Sequence, residues 1–167
     1  MRLFTFVGWS GSGKTTVIAR LVELFKDRGL KVGAVKRVHH YSLQPQGKDS
    51  EIFLSAGAGK VCVVAQGEFL VMERLAEGED MLQRVTCQFE DYDMVFLEGM
   101  NFPGIPVIEV FSPGKEPSLK WDPARLAAVI TDESLEIDTT RFRRDAIEAI
   151  AGFLEDYDGT QPCIESK

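Results

Sequence analysis

An α/β fold, with a mostly parallel sheet and helices on both faces, is what this sequence predicts, and three observations predict it. Short apolar runs that read as buried strands alternate with segments of helical spacing. The runs are bounded by glycine and polar residues, as buried strands are. The first of them, Leu3 to Val7, runs directly into a glycine-rich loop and then into a helix.

The elements follow in order. Leu3 to Val7 reads as a strand. Thr15 to Arg28 has helical spacing, with Val17, Ile18, Leu21, Val22, Leu24 and Phe25 on one broad face, and Gly29 ends it. Val32 to Val35 is a second buried strand, delivering Lys36, Arg37, His39 and His40 at its end. Tyr41 to Gly47 reads as a loop, after which Asp49 or Ser50 caps a short helix ending near Gly57 or Gly59. Val61 to Ala65 and Phe69 to Met72, joined by Gln66 and Gly67, form a hairpin or tight turn, which makes the sheet a mixed one. Glu79 to Gln88 reads as a helix, and Met94 to Leu97 as a central strand. Ile105 to Phe111 and Leu126 to Ile130 are two more strands. Phe142 to Tyr157 is a final amphipathic helix. Residues 1–158 are expected to form a single domain, with 159–167 as a loose tail.

With 26 acidic residues against 19 basic, the net charge is -7, which disfavours non-specific binding to nucleic acid or a membrane surface. No apolar run approaches the ~20 residues a membrane helix needs. Met1 reads as the true start and the compartment as cytoplasmic. Three widely spaced cysteines, with no CxxC pair, argue against a disulfide framework or a zinc site, and Cys62 is expected to be a buried small hydrophobe.

Gly8-Trp9-Ser10-Gly11-Ser12-Gly13-Lys14-Thr15 fits the phosphate-loop pattern GxxxxGK[ST], in the strand–loop–helix context that gives it meaning. The glycines let successive backbone N–H groups turn inward on phosphate oxygens, and the helix that follows adds its N-terminal partial charge. Lys14 reaches the β- and γ-phosphates, and Thr15 offers a hydroxyl to Mg²⁺. The fold is therefore expected to be of the P-loop NTPase type. One branch of P-loop ATPases carries a second lysine directly after the first glycine. Trp9 stands there instead, either to shield phosphates or pack against a partner, or simply as a packed aromatic.

Four segments carry a resemblance. They are Gly8 to Thr16; Lys36-Arg37-Val38-His39-His40; Gly47-Lys48-Asp49-Ser50 with Ala56-Gly57-Ala58; and the strand ending in Glu98-Gly99 with the later Ile108-Glu109-Val110. Together they resemble the molybdopterin-guanine dinucleotide biosynthesis protein B family. The resemblance implies a homodimer that binds GTP and Mg²⁺ and hydrolyses GTP weakly. Its implied role is accessory, to a guanylyltransferase that joins GMP to molybdopterin. The chain departs from the family pattern at Arg37, at Tyr41, in Gln44 to Gln46, and at Met100-Asn101, which leaves room for a paralogue serving another cofactor step.

The other candidates each have two readings. One of His39 and His40 contacts phosphate or the partner, or both are loop histidines. Lys36, at the carboxyl end of its strand, holds an anion or is solvated. Asp49 caps a helix or reaches Mg²⁺ or its waters. No NKxD motif is present; Asp132, after the Leu126 to Ile130 strand, either reads guanine N1–H and N2–H₂ or caps a turn. Of the acids flanking the Met94 to Leu97 strand, Glu98 is assigned to the active site. Asp93 is not, because it lies at the far end of a strand expected to run parallel to the first. Lys14, Glu98 and Asp49 are thus the catalytic candidates. Thr15, Glu98 and Asp49 are the metal candidates. Gly8 through Thr16, Lys36, His39 and Asp132 are the nucleotide-binding candidates. Two rivals are a small-molecule kinase, which needs an arginine-bearing lid, whereas Arg141, Arg143 and Arg144 cluster near the last helix, where no lid is expected, and a GTP-dependent metal-delivery protein, which needs Cys or His ligands that no CxxC or His tract supplies.

Overall fold

The computed structural model describes residues 1–38, 48–114 and 119–158. His39, His40, the expected loop to Gly47, Cys163 and the expected tail lie outside the described residues. Two compact units are present: Met1–Arg37 with the chain from Val85 onward, and Val38–Arg84.

The first unit holds a six-stranded sheet, in the order β2-β5-β1-β6-β7-β8. Its strands are β1 (Arg2–Val7), β2 (Val32–Lys36), β5 (Met94–Glu98), β6 (Val107–Val110), β7 (Ala128–Ile130) and β8 (Arg141–Phe142). Every pairing is parallel. Helices α1 (Lys14–Asp27) and α4 (Ile147–Asp156) cover one face. Phe4, Phe6, Phe96, Ile108 and Ile130 point into that layer, against Leu21 and Phe25 of α1 and Ile150 and Leu154 of α4. The alternate residues point the other way. Val7, Val107 and Val129 pack with Leu126, Trp121 and Ile137. Val95 and Leu97 pack with Met100, Phe89 and Val85, the last belonging to α3 (Met81–Thr86). Among the described residues, this second face is closed by connecting segments and, at Val85, by α3.

The second unit contains α2 (Lys48–Ser55), β3 (Lys60–Ala65) and β4 (Glu68–Glu73). The expected hairpin forms, with Val64 opposite Phe69, but as an antiparallel sheet of its own. The expected mixed sheet therefore separates into a parallel sheet and a hairpin. Helix α2 packs on β3, and Val61 and Met72 are buried. The alternate residues Cys62, Val64, Phe69 and Val71 are exposed. Cys62 is consequently not the buried hydrophobe expected of it: period-two alternation puts it on the open face.

Three boundaries moved for local reasons. Asp49 stands inside the first turn of α2 rather than at its cap, where its charge still favours the helix N-terminus. Helix α3 starts only at Met81 because Asp80 Oδ1 accepts the Leu82 and Gln83 N–H groups, at 2.9 and 3.1 Å, and so caps it. The last helix starts at Ile147, not Phe142. Phe142 and Arg141 instead extend the sheet, the Phe142 carbonyl accepting the Thr131 N–H at 2.8 Å. The Phe142 ring remains in the core, against Phe153.

Candidate functional site

The phosphate loop leaves the carboxyl end of β1, where ligands of open parallel sheets bind. Its start is sterically fixed. A Cβ on Gly8 would lie 2.3 Å from the Val110 carbonyl oxygen, and Gly8 has φ +133, so only glycine fits between β1 and β6. At its end Gly13 precedes α1 with no side-chain cap, so the N–H groups of the first turn face the loop rather than a capping side chain. Ser12 is buried, whereas Ser10, Gly11, Thr15 and Thr16 are exposed.

Lys14 curls back over the loop. Its Nζ donates to the carbonyls of Gly8 and Trp9, at 3.1 and 2.8 Å, and lies 3.4 Å from Ser12 Oγ. Burial lowers its pKa. Glu98 opposes that shift, and the positive charges of Lys120 and Lys36 add to it.

Beside the loop the sheet register assembles a second cluster. Phe6 and Lys36 both stand opposite Glu98, on its two neighbouring strands. Thr15 Oγ1 lies 3.0 and 2.9 Å from the two carboxylate oxygens of Glu98. Lys36 Nζ is 3.2 Å from Glu98 Oε1 and donates to Thr15 Oγ1 at 3.3 Å. Strand β5 does run parallel to β1, so Glu98 emerges at the edge the loop emerges from. Asp93 sits at the other edge: its Oδ2 accepts the Lys31 N–H at 2.7 Å and its carbonyl accepts the Arg2 N–H at 2.8 Å. It closes the starts of three strands.

The remaining candidates fall differently. Asp49 belongs to the second unit and is exposed there. His39 lies outside the described residues. Asp132 follows β7 at the carboxyl edge, and both its oxygens are engaged by Arg144: Oδ1 accepts the backbone N–H at 3.1 Å, and Oδ2 lies 3.4 Å from Nε. Arg144 was expected only as part of a cluster near the last helix. Instead its guanidinium donates to the carbonyls of Ser12 and Phe111, bracing the loop from below. Strand β8 puts it there, and no spacing in the sequence signals a two-residue strand. Glu109, named above only as part of a segment that carries the resemblance, and Lys120, which no motif announces, also reach the loop region. Glu109 is wholly buried on β6, and Lys120 Nζ lies 5.6 Å from the centre of the Trp9 ring. A cavity of about 520 Å³, lined by Pro106, Arg125, Thr139 and Arg141 among others, opens at the starts of β6, β7 and β8, away from the phosphate loop.

Among the described residues, no helix is long and apolar enough to cross a membrane. They also hold no group of three or more His, Cys, Asp or Glu side chains arranged for a metal ion.

Comparison with known proteins agrees with this architecture. The chain is 28% identical over 161 residues to a molybdopterin-guanine dinucleotide biosynthesis adapter protein of Escherichia coli, covering 93% of this chain and 92% of that one. It is 30% identical over 158 residues to the protein of the same description from Haemophilus influenzae, covering 93% and 88%. A crystal structure of molybdopterin-guanine biosynthesis protein B superposes with a TM-score of 0.70 at 32% identity, over 92% of this chain and 96% of that one. The sequence model of molybdopterin guanine dinucleotide synthesis protein B matches residues 3–132, a stretch that contains the phosphate loop, Lys36, Glu98 and Asp132. The chain belongs to that family.

Proposed function

We propose that this protein binds GTP with Mg²⁺, hydrolyses it slowly, and acts in the cytoplasm as an accessory to the guanylyltransferase that joins GMP to molybdopterin. The observation that carries the proposal is the convergence of Lys14, Thr15, Glu98 and Lys36 at the carboxyl edge of the sheet, around a loop whose glycines and helix start suit a polyphosphate. Two relatives described as adapter proteins of molybdopterin-guanine dinucleotide biosynthesis supply the pathway.

The donor set suits Mg²⁺. This small, hard cation takes one or two protein oxygens and completes its shell with phosphates and water. Thr15 Oγ1 and the Glu98 carboxylate, within 3.0 Å of each other, are such oxygens. They would hold the ion, and once bound it would neutralise phosphate charge. Lys36 balances the carboxylate, and Lys14 would meet the terminal phosphates.

Titration with each nucleotide in the presence of Mg²⁺ tests the base preference. GTP is expected to bind roughly tenfold or more tightly than ATP, the worth of one or two hydrogen bonds that adenine cannot make. Equal affinities would remove the guanine reading. Repeating the competition with the guanylyltransferase present tests the accessory role, which predicts that its presence changes the preference or the turnover.

We further propose a homodimer formed through the β3–β4 hairpin. Its open face carries Val64, Phe69 and Val71, which are 78%, 73% and 42% exposed, a contiguous apolar set on a sheet that has two strands among the described residues. Light scattering at micromolar concentration is expected to give twice the chain mass. The double substitution Val64→Asp with Phe69→Asp is expected to yield monomer with its circular dichroism retained. A wild-type monomer would overturn the dimer.

A further inference from the structure

We propose that Lys120 is a second triphosphate-binding lysine, recognising the terminal phosphate from across Trp9, and that the buried Glu109 is the residue that positions it. This rests on the reading of the loop as a nucleoside triphosphate site and adds to it a residue that no motif announces.

Glu109 is the starting point. It stands on β6 opposite Val7, the last strand residue before the loop, and no part of it reaches solvent. A carboxylate in such a place is costly unless its oxygens are satisfied. Both are: Oε1 accepts the Lys120 N–H at 2.6 Å and Oε2 accepts the Trp121 N–H at 3.0 Å. Burial raises the Glu109 pKa, while these two bonds and the charges of Lys120 and Lys14 hold it down. The outcome of the arrangement is positional. It clamps the backbone of residues 120 and 121 onto the strand beside the loop. Trp121 then packs with Val7 in the core, and Lys120 turns its side chain out over Trp9.

An exposed lysine resting on an aromatic ring is ordinary in itself. Here the ring belongs to the phosphate loop. Position 9, directly after the first loop glycine, carries no charge of its own, and Lys120 supplies one over it. The ammonium also acts on Lys14, as does that of Lys36. Three lysine ammoniums therefore converge on one short loop, with Glu98 paired to one of them. Two carboxylates, Glu98 and Glu109, offset part of that charge, and the positive charge left over suits a bound anion. A triphosphate differs from a diphosphate by the terminal group beyond the reach of the loop amides. That is the group an additional ammonium on a flexible stem can meet.

Equilibrium binding of GTP and of GDP, each with Mg²⁺, is measured for the wild type and for Lys120→Ala, Lys120→Arg, Lys14→Ala and Glu109→Gln, with folding followed by circular dichroism. Lys120→Ala is expected to weaken GTP about tenfold and GDP less than about twofold, a loss that shrinks as salt is raised. Lys120→Arg is expected to restore most of the loss, and Glu109→Gln to reproduce it in a folded protein. Lys120 is on the surface, so its variants decide the matter even where the buried substitution fails to fold. If Lys14→Ala loses GTP and Lys120→Ala binds it as the wild type does, this inference falls and the phosphate-site reading stands. Equal weakening of GTP and GDP by Lys120→Ala also overturns it, since a merely structural lysine would act that way. A wild type that binds neither nucleotide overturns both.

Discussion

Lys14→Ala is expected to weaken GTP binding by roughly a hundredfold or more while weakening GDP far less, because the lysine charge acts on the outer phosphates and backbone amides hold the rest. The structure explains why so large an effect is concentrated in one side chain. Lys14 is the first residue of α1, directly after Gly13, so its backbone is fixed by the helix and its stem spans the loop. Its ammonium is already half withdrawn from water and shares its surroundings with two other cations, which is why its pKa falls below the usual lysine value. A triphosphate would remove that repulsion and replace the carbonyl contacts to Gly8 and Trp9 with ionic ones. Removing the side chain takes away that gain, yet leaves the loop its three glycines and its Arg144 brace. The fold should therefore persist, with circular dichroism unchanged. Isothermal titration with GTP and GDP checks the split between the two nucleotides. A variant that binds GTP as the wild type does would take Lys14 out of the site.

The parts of this site that sequence reveals are those defined by short spacing. The phosphate loop is a local pattern, and its strand and helix lie on either side of it. Glu98 was accessible too, because one inference, a central apolar strand parallel to the first, puts its end at the edge of the loop. Lys120 and Arg144 were not accessible. Each comes to the loop from a connection late in the chain, and each is placed by a tertiary contact rather than by spacing: the buried Glu109 for one, the pairing of β8 with β7 for the other. A charged residue inside an apolar run, as in Val107-Ile108-Glu109-Val110, is the one signal that could have pointed to the first. A carboxylate in a central strand must be paired with something. For the second, the helical spacing from Phe142 onward matched a helix well, and the backbone bonds of Phe142 to the sheet overrode it. The hairpin shows the same limit. Its two runs and their connection are legible in the sequence, whereas its formation of a separate sheet depends on tertiary pairing.

Glu98→Gln is expected to lower Mg²⁺-dependent GTP hydrolysis by on the order of a hundredfold, and Asp93→Asn to leave it within about twofold of the wild type, the magnitudes expected of a group at the phosphates and of one far from them. The two acids flank one strand, and only geometry separates their roles. Strand β5 pairs parallel with β1, Phe6 opposite Glu98 and Arg2 opposite Met94. The five positions from Asp93 to Glu98 carry the chain about 16 Å along the sheet at ~3.3 Å per residue. Glu98 ends within hydrogen-bond distance of Thr15 and Lys36, both of which a Mg²⁺-bound triphosphate would adjoin. Asp93 ends among the strand starts, where its carboxylate accepts the Lys31 N–H. The expected defects therefore differ in kind. Asparagine at 93 keeps an oxygen to accept that N–H, so a modest loss of thermal stability is the most it should show. Glutamine at 98 keeps its shape and can still accept from Thr15, but it loses the charge that balances Lys36 and that Mg²⁺ needs. Hydrolysis is measured over a range of Mg²⁺ concentrations, with folding followed by circular dichroism and thermal melting. The Glu98 variant should need more Mg²⁺ as well as turning over more slowly. Full activity in Glu98→Gln beside a loss in a folded Asp93→Asn would reverse the assignment and place the chemistry at the opposite edge of the sheet.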